Sequence, residues 1–116
     1  MNITELKVYT PAKDFELSKR FYAALGFEVA EAWGGNFDCR LGGASFRLQN
    51  YYVEDWANNF MMQFWVDDLD DWYAHARSVI DSGDFPGSRM TAIETHDGSR
   101  LFHVIDPSGV LLIFIK

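Results

Sequence analysis

Few side chains in this chain have the types and spacing to do chemistry. Tyr9 and His103 could exchange protons, since imidazole titrates near neutrality and the nearby Lys7 could lower a phenol pKa. Glu94, His96 and His103 offer the carboxylate and imidazole donors that a divalent first-row metal accepts. No nucleophile accompanies them, so the same groups also read as hydrogen-bonding contacts that orient a ligand. Asp67, Asp68, Asp70 and Asp71 form a dense carboxylate group, but they stand where a helix begins and complement its dipole. His75 falls on the polar side of that helix, and His96 beside an Asp97-Gly98 turn. Cys39 is the only cysteine, which excludes an intrachain disulfide and a thiolate metal cluster.

The elements that must position these groups read out twice in one order. Ile3 to Thr10 is a strand ended by Pro11, and Asp14 caps a helix with Leu17, Phe21 and Leu25 on one face, stopped at Gly26. Three strands follow, Phe27 to Trp33, Asn36 to Leu41 and Ala44 to Tyr51, parted by the turn dipeptides Gly34-Gly35 and Gly42-Gly43. Polar residues 53–59 form a linker. Phe60 to Val66 then opens a second round, and Asp68 caps a helix with Leu69, Trp72, Ala76, Val79 and Ile80 inward, stopped at Gly83. Strands Met90 to Thr95, Leu101 to Ile105 and Val110 to Ile115 complete it, with a turn at Asp106-Pro107-Ser108-Gly109. The helix-opening aspartates lie 54 residues apart, and such duplication is informative in a short chain. The expected fold is α+β: two tandem βαβββ modules, about 1–52 and 60–116, in one domain spanning 1–116. Together they form a curved mixed sheet with the helices on the convex side and a ligand-sized concavity opposite. Strand alternation sets Lys7 and Tyr9 on one face, and Met61, Gln63 and Trp65 on the matching face of the repeat.

This pattern resembles the vicinal-oxygen-chelate superfamily of glyoxalases, extradiol dioxygenases, fosfomycin-resistance enzymes and bleomycin-resistance proteins. The matching stretches are Asp14-Phe15-Glu16-Leu17-Ser18 with Arg20-Phe21-Tyr22, Leu25-Gly26-Phe27-Glu28-Val29, Phe64-Trp65-Val66-Asp67-Asp68-Leu69-Asp70 and Asp106-Pro107-Ser108-Gly109. The resemblance implies metal ligands at positions that here hold Lys7, Met61, Ile113 and, on the strand after Gly42-Gly43, Arg47. Protonated lysine and arginine have no lone pair, isoleucine has no donor, and methionine offers a soft thioether; the expected metal is none and the expected cofactor is none. The resemblance also places His103 where fosfomycin-resistance enzymes contact substrate. It implies kinship in character with metal-free bleomycin-resistance proteins, which sequester a drug in a cleft built by a homodimer.

The expected ligand-binding set is Lys7, Tyr9, Arg47, Gln49, Met61, Gln63, Trp65, His103 and Ile113, with Tyr9 and His103 as the catalytic candidates if the protein is an enzyme. Trp33, Tyr51, Tyr52, Trp56 and Phe60 either flank the cleft mouth, where rings stack on planar or cationic ligands, or pack an interface. With 10 basic against 17 acidic side chains and no basic cluster in sequence, a nucleic-acid or anionic-membrane partner is not expected. No signal peptide is read at Met1 to Glu5, and the longest apolar run, Val110 to Ile115, is too short to span a bilayer, so a cytoplasmic protein is expected. A global charge of −7 favours a cationic ligand, whereas Lys7, Arg47 and His103 would make the pocket floor basic; the contacting groups outweigh the screened field and favour a carboxylate or phenolate on an apolar ring system. Three functions follow: a metal-free binder that sequesters an antibiotic, a glyoxalase-like lyase or other enzyme using Tyr9 and His103 or a displaced metal on Glu94, His96 and His103, or an interaction subunit whose cleft is filled by side chains.

Overall fold

Both long helices begin on an aspartate whose carboxylate accepts a backbone N–H three residues on: Asp14 Oδ1 from Leu17 at 3.1 Å, and Asp68 Oδ1 from Asp71 at 3.0 Å. These caps satisfy amides that no helical carbonyl reaches. The computed structural model describes residues 1–116. Strand β1 (Tyr9–Pro11) leads into helix α1 (Phe15–Leu25), then β2 (Glu28–Glu31), β3 (Phe37–Leu41) and β4 (Ala44–Gln49). The second round is β5 (Met61–Trp65), α3 (Leu69–Asp81), β6 (Arg89–Met90), β7 (Glu94–His96), β8 (Ser99–Ile105) and β9 (Leu111–Ile115), after a short helix α2 (Glu54–Ala57) in the connector. Gly26 ends α1 with φ +113°, a left-handed conformation that L side chains resist.

The α+β fold with two repeated modules is what the sequence leads one to expect, and four boundaries differ. The first strand is three residues long, with Tyr9, Thr10 and Pro11 paired in parallel to Arg47, Leu48 and Gln49. Residues 33–35 coil into a 3₁₀ turn in which Gly34 takes φ +73°. The linker contains α2, and its Ala57 is fully buried. The strand expected over Met90 to Thr95 is split into β6 and β7, both pairing with β8. The Asp97-Gly98 turn forms as expected, with both residues at positive φ.

The modules build two mixed sheets, ordered β1-β4-β3-β2 and β5-β9-β8-β6, with β7 also paired to β8. One face of each sheet and the inner faces of both helices share one core. It joins Phe21, Tyr22, Phe46 and Leu48 to Phe102, Val104, Leu112 and Phe114. The core stripe of α1 is Ser18, Phe21, Tyr22 and Leu25, so Leu17 lies at its margin and Tyr22 enters instead. Phe102, Phe114 and Trp72 stack with centroids 5.0 to 5.1 Å apart. The helices pack into this shared core, and the other face of each sheet carries the candidate site residues.

Candidate functional site

On the outer face of the first sheet, Asp38 is the hub. The two-residue turn Gly42-Gly43 sets the β3–β4 register so that Asp38 lies opposite Arg47, which lies opposite Tyr9 on its other side. Arg47 donates to Asp38 Oδ1 through Nε at 2.9 Å and to Oδ2 through Nη2 at 3.4 Å, and its Nη1 donates to the Tyr9 hydroxyl at 3.4 Å. Lys7 Nζ meets Asp38 Oδ2 at 3.2 Å and Glu5 at 2.9 Å, and Arg40 meets Asp38 at 3.3 Å. Hydrogen bonds from Arg47 and then Lys7 hold the Asp38 carboxyl below its ordinary pKa, against burial. Glu5 and Asp38 together raise the Lys7 ammonium. Three cations thus converge on one buried carboxylate.

The outer face of the second sheet is mostly apolar. Gln63, Ile113 and His103 lie side by side across β5, β9 and β8, with the pairs Met61–Leu111 and Trp65–Ile115 in the flanking rows. Met61 and Trp65 are 62% and 66% exposed, a large apolar area at a sheet edge. The Trp65 indole N–H donates to Gln63 Oε1 at 2.9 Å, which fixes both side chains. His103 is tied to Thr91 through its backbone, leaving its ring outside that pairing.

Between the sheets lies a cleft of about 840 Å³, within the range of small-molecule pockets. The β1 strand pairs only with residues 47–49 of β4, so Ala44, Ser45 and Phe46 present a free edge, and β5 presents another at the end of the second sheet. Thirteen of the eighteen lining residues are hydrophobic, and the buried rings Phe27, Phe46 and Phe114 are among them. Of the expected site residues, Met61, Gln63 and Trp65 line this cleft; Lys7, Tyr9, Arg47, Gln49, His103 and Ile113 do not. Val8 and Ser45 line it and adjoin the charged cluster: Val8 sits between Lys7 and Tyr9, and Ser45 is the cross-strand partner of Arg40.

The donor set does not fit a divalent metal. Lys7 and Arg47 are committed as cations to Asp38, and Ile113 has no donor atom. No three His, Cys, Asp or Glu side chains converge anywhere, which covers the alternative set Glu94, His96 and His103. Tyr9 and His103 are on different sheets, and no hydrogen bond joins them within the chain. Burial pushes the Cys39 thiol up to about 12, so it is a poor nucleophile.

Of the aromatic group at the sheet end, Phe60 lines the cleft and Tyr52 receives the Lys13 ammonium 5.7 Å from its centroid. Trp33, Tyr51 and Trp56 are exposed and stack on no other ring. His75 is exposed and its Nε2 lies 2.9 Å from the Ala24 carbonyl, bridging α3 to α1. Asp68 caps α3, and Asp70 pairs with Arg100 at 2.9 Å. Asp38 and Arg40 were not on the expected list. Counting back from the Gly42-Gly43 turn would have found Asp38, since a two-residue turn fixes the register.

The sequence matches no family model, and no curated protein is a match. Solved structures do match across almost the whole length. A bleomycin resistance determinant encoded on transposon Tn5 is 24% identical with a TM-score of 0.79, covering 98% of each chain. The bleomycin-binding protein of bleomycin-producing Streptomyces verticillus, complexed with copper(II)-bleomycin, is 22% identical with a TM-score of 0.78, covering 98% of this chain and 96% of that one. TnmS3, an antibiotic binding protein from Streptomyces sp. CB03234, is 20% identical with a TM-score of 0.73 at the same coverage. The repeated modules, the aspartate-capped helices and these matches agree that the chain has the fold of the glyoxalase/bleomycin-resistance proteins.

Proposed function

We propose that this protein is a metal-free small-molecule binder that sequesters an antibiotic-like compound in its aromatic-rich cleft. The observation that carries this reading is the 840 Å³ apolar cleft, set beside a charged cluster whose carboxylates are already paired with Lys7 and Arg47. The similar structures that bind bleomycin or another antibiotic support it. Met61, Gln63 and Trp65 form one wall, and the Gln63–Trp65 hydrogen bond pre-orders that wall so that a ligand meets a set surface. An acid–base enzyme would need Tyr9 and His103 at one reaction centre, and one chain sets them on separate sheets.

Thermal shift with a panel of aromatic antibiotics, each run with divalent ions and with EDTA, tests this. Saturating ligand at about a hundred times its Kd should add about 2.7 kcal/mol of stability, unchanged by chelator. Stabilisation by a divalent ion alone, reversed by EDTA, would sink the metal-free reading.

A further inference from the structure

The cleft and the charged cluster are contiguous, and their chemistries are opposite. Ser45 lines the cleft with its side chain on the outer face of β4, two residues from Arg47 and directly across from Arg40. Cross-strand partners on one face have Cβ atoms about 5 Å apart, so the Arg40 guanidinium is within reach of a group standing on Ser45. Val8, also in the lining, lies between Lys7 and Tyr9. At this border Lys7, Arg40 and Arg47 contact Asp38 and Glu5, while Glu28 on β2, the other cross-strand neighbour of Arg40, makes no ion pair with it. The donors of Arg47 are largely used, on Asp38 and Tyr9, whereas Arg40 makes a single contact and its side chain is 59% exposed. Arg40 is therefore the cation with most of its hydrogen-bonding capacity free. The chain carries −7 overall, but a screened global field counts for less than cations within contact distance. Asp67 is the charged residue in the cleft lining itself, which disfavours an anion deep inside and leaves the border as its place.

We infer that the ligand is an anionic amphiphile, its apolar body in the cleft between β4 and β5 and its single negative head at the border on Arg40 and Lys7. This inference rests on the binding reading above and deepens it. Asp38 acts as the positioning residue, since it holds the three cations together in the absence of a ligand anion.

The test uses the intact protein and the neutral fluorescent probe N-phenyl-1-naphthylamine, displaced by three compounds sharing a twelve-carbon tail: dodecanoate, dodecanol and dodecyltrimethylammonium. Dodecanoate should displace the probe at about a fivefold lower concentration than it does from the Lys7→Gln/Arg40→Gln variant, the scale of an exposed ion pair. The variant should bind the probe itself as the parent does, and dodecanol should not distinguish the two. Gly43→Phe serves as the cleft control. The backbone at Gly43 is not in the left-handed region and an added Cβ meets no atom within 4 Å, so the variant should fold, as near-UV circular dichroism checks, and lose the probe. If the probe does not bind, or binds Gly43→Phe equally well, the cleft reading fails and takes this inference with it. If the probe binds in the cleft but the charge-removing variant leaves dodecanoate unaffected, or the ammonium compound displaces best, the anionic head is wrong and the cleft reading stands.

Discussion

At the scale of single residues, the fold depends on polar groups that meet across long stretches of chain. The Tyr22 hydroxyl, fully buried on α1, donates to Asp106 Oδ2 at 2.6 Å, while Asp106 Oδ1 accepts the backbone N–H groups of Ser108 and Val110 at 2.8 and 2.9 Å. Burial pushes the Asp106 carboxyl above its ordinary pKa, and the Tyr22 hydroxyl and the turn amides oppose that shift. Tyr22→Phe removes the one side-chain donor to a buried carboxylate. It should lower stability by about 1.5 to 3 kcal/mol at neutral pH, read by urea unfolding. The sign of the pH dependence follows: without the hydroxyl the folded-state pKa rises further, so the variant's deficit is fullest above that pKa and shrinks as acid protonates Asp106. A deficit that stays constant down to pH 4 would show that the hydroxyl does not act through the carboxylate. This pairing was not legible in the sequence, because 84 residues separate the partners and only the packed modules bring them together. The Asp38–Arg47 pair was legible in principle, since it follows from counting across one tight turn.

At the scale of elements, what was local could be read and what needed a partner could not. Asp14, Gly26 and Asp68 announce the helix ends because each acts on its own neighbours. The extent of β1 is set by its pairing with β4, and the break between β6 and β7 by how β8 is shared, so neither shows in the periodicity of its own segment. The cleft lies between the edges of β4 and β5, with the core rings Phe27, Phe46 and Phe114 in its lining, rather than on a sheet face opposite the helices; its place depends on two sheets at once. The caps should be energetically equivalent: Asp14→Ala and Asp68→Ala should each cost about 1 kcal/mol, measured by thermal or urea unfolding. Each replacement removes a carboxylate acceptor at 3.0 to 3.1 Å from the third helical N–H, with a first turn that stays acidic through Glu16 or through Asp70 and Asp71. A loss at one site many times that at the other would mean that one aspartate does more than cap.

At the scale of the whole molecule, the shared core has a consequence for assembly. Once both modules turn their helices inward, apolar groups remain on the outer surfaces: Met61 and Trp65 on the β5 edge, and Ile3 and Leu6 on the segment before β1, 84% and 81% exposed. A free strand edge bearing large apolar side chains is a place where chains pair unless something covers it. We therefore expect a homodimer in which a second copy covers part of this surface. Sedimentation equilibrium at micromolar concentrations should return twice the 13.3 kDa of the chain. Leu6→Glu, which alters no residue of the cleft lining or of the charged cluster, should shift the population toward monomer while leaving the circular dichroism spectrum intact. A parent protein that sediments as a monomer throughout would mean that this apolar surface stands open to solvent or is reserved for the ligand, and the dimer would have to be given up.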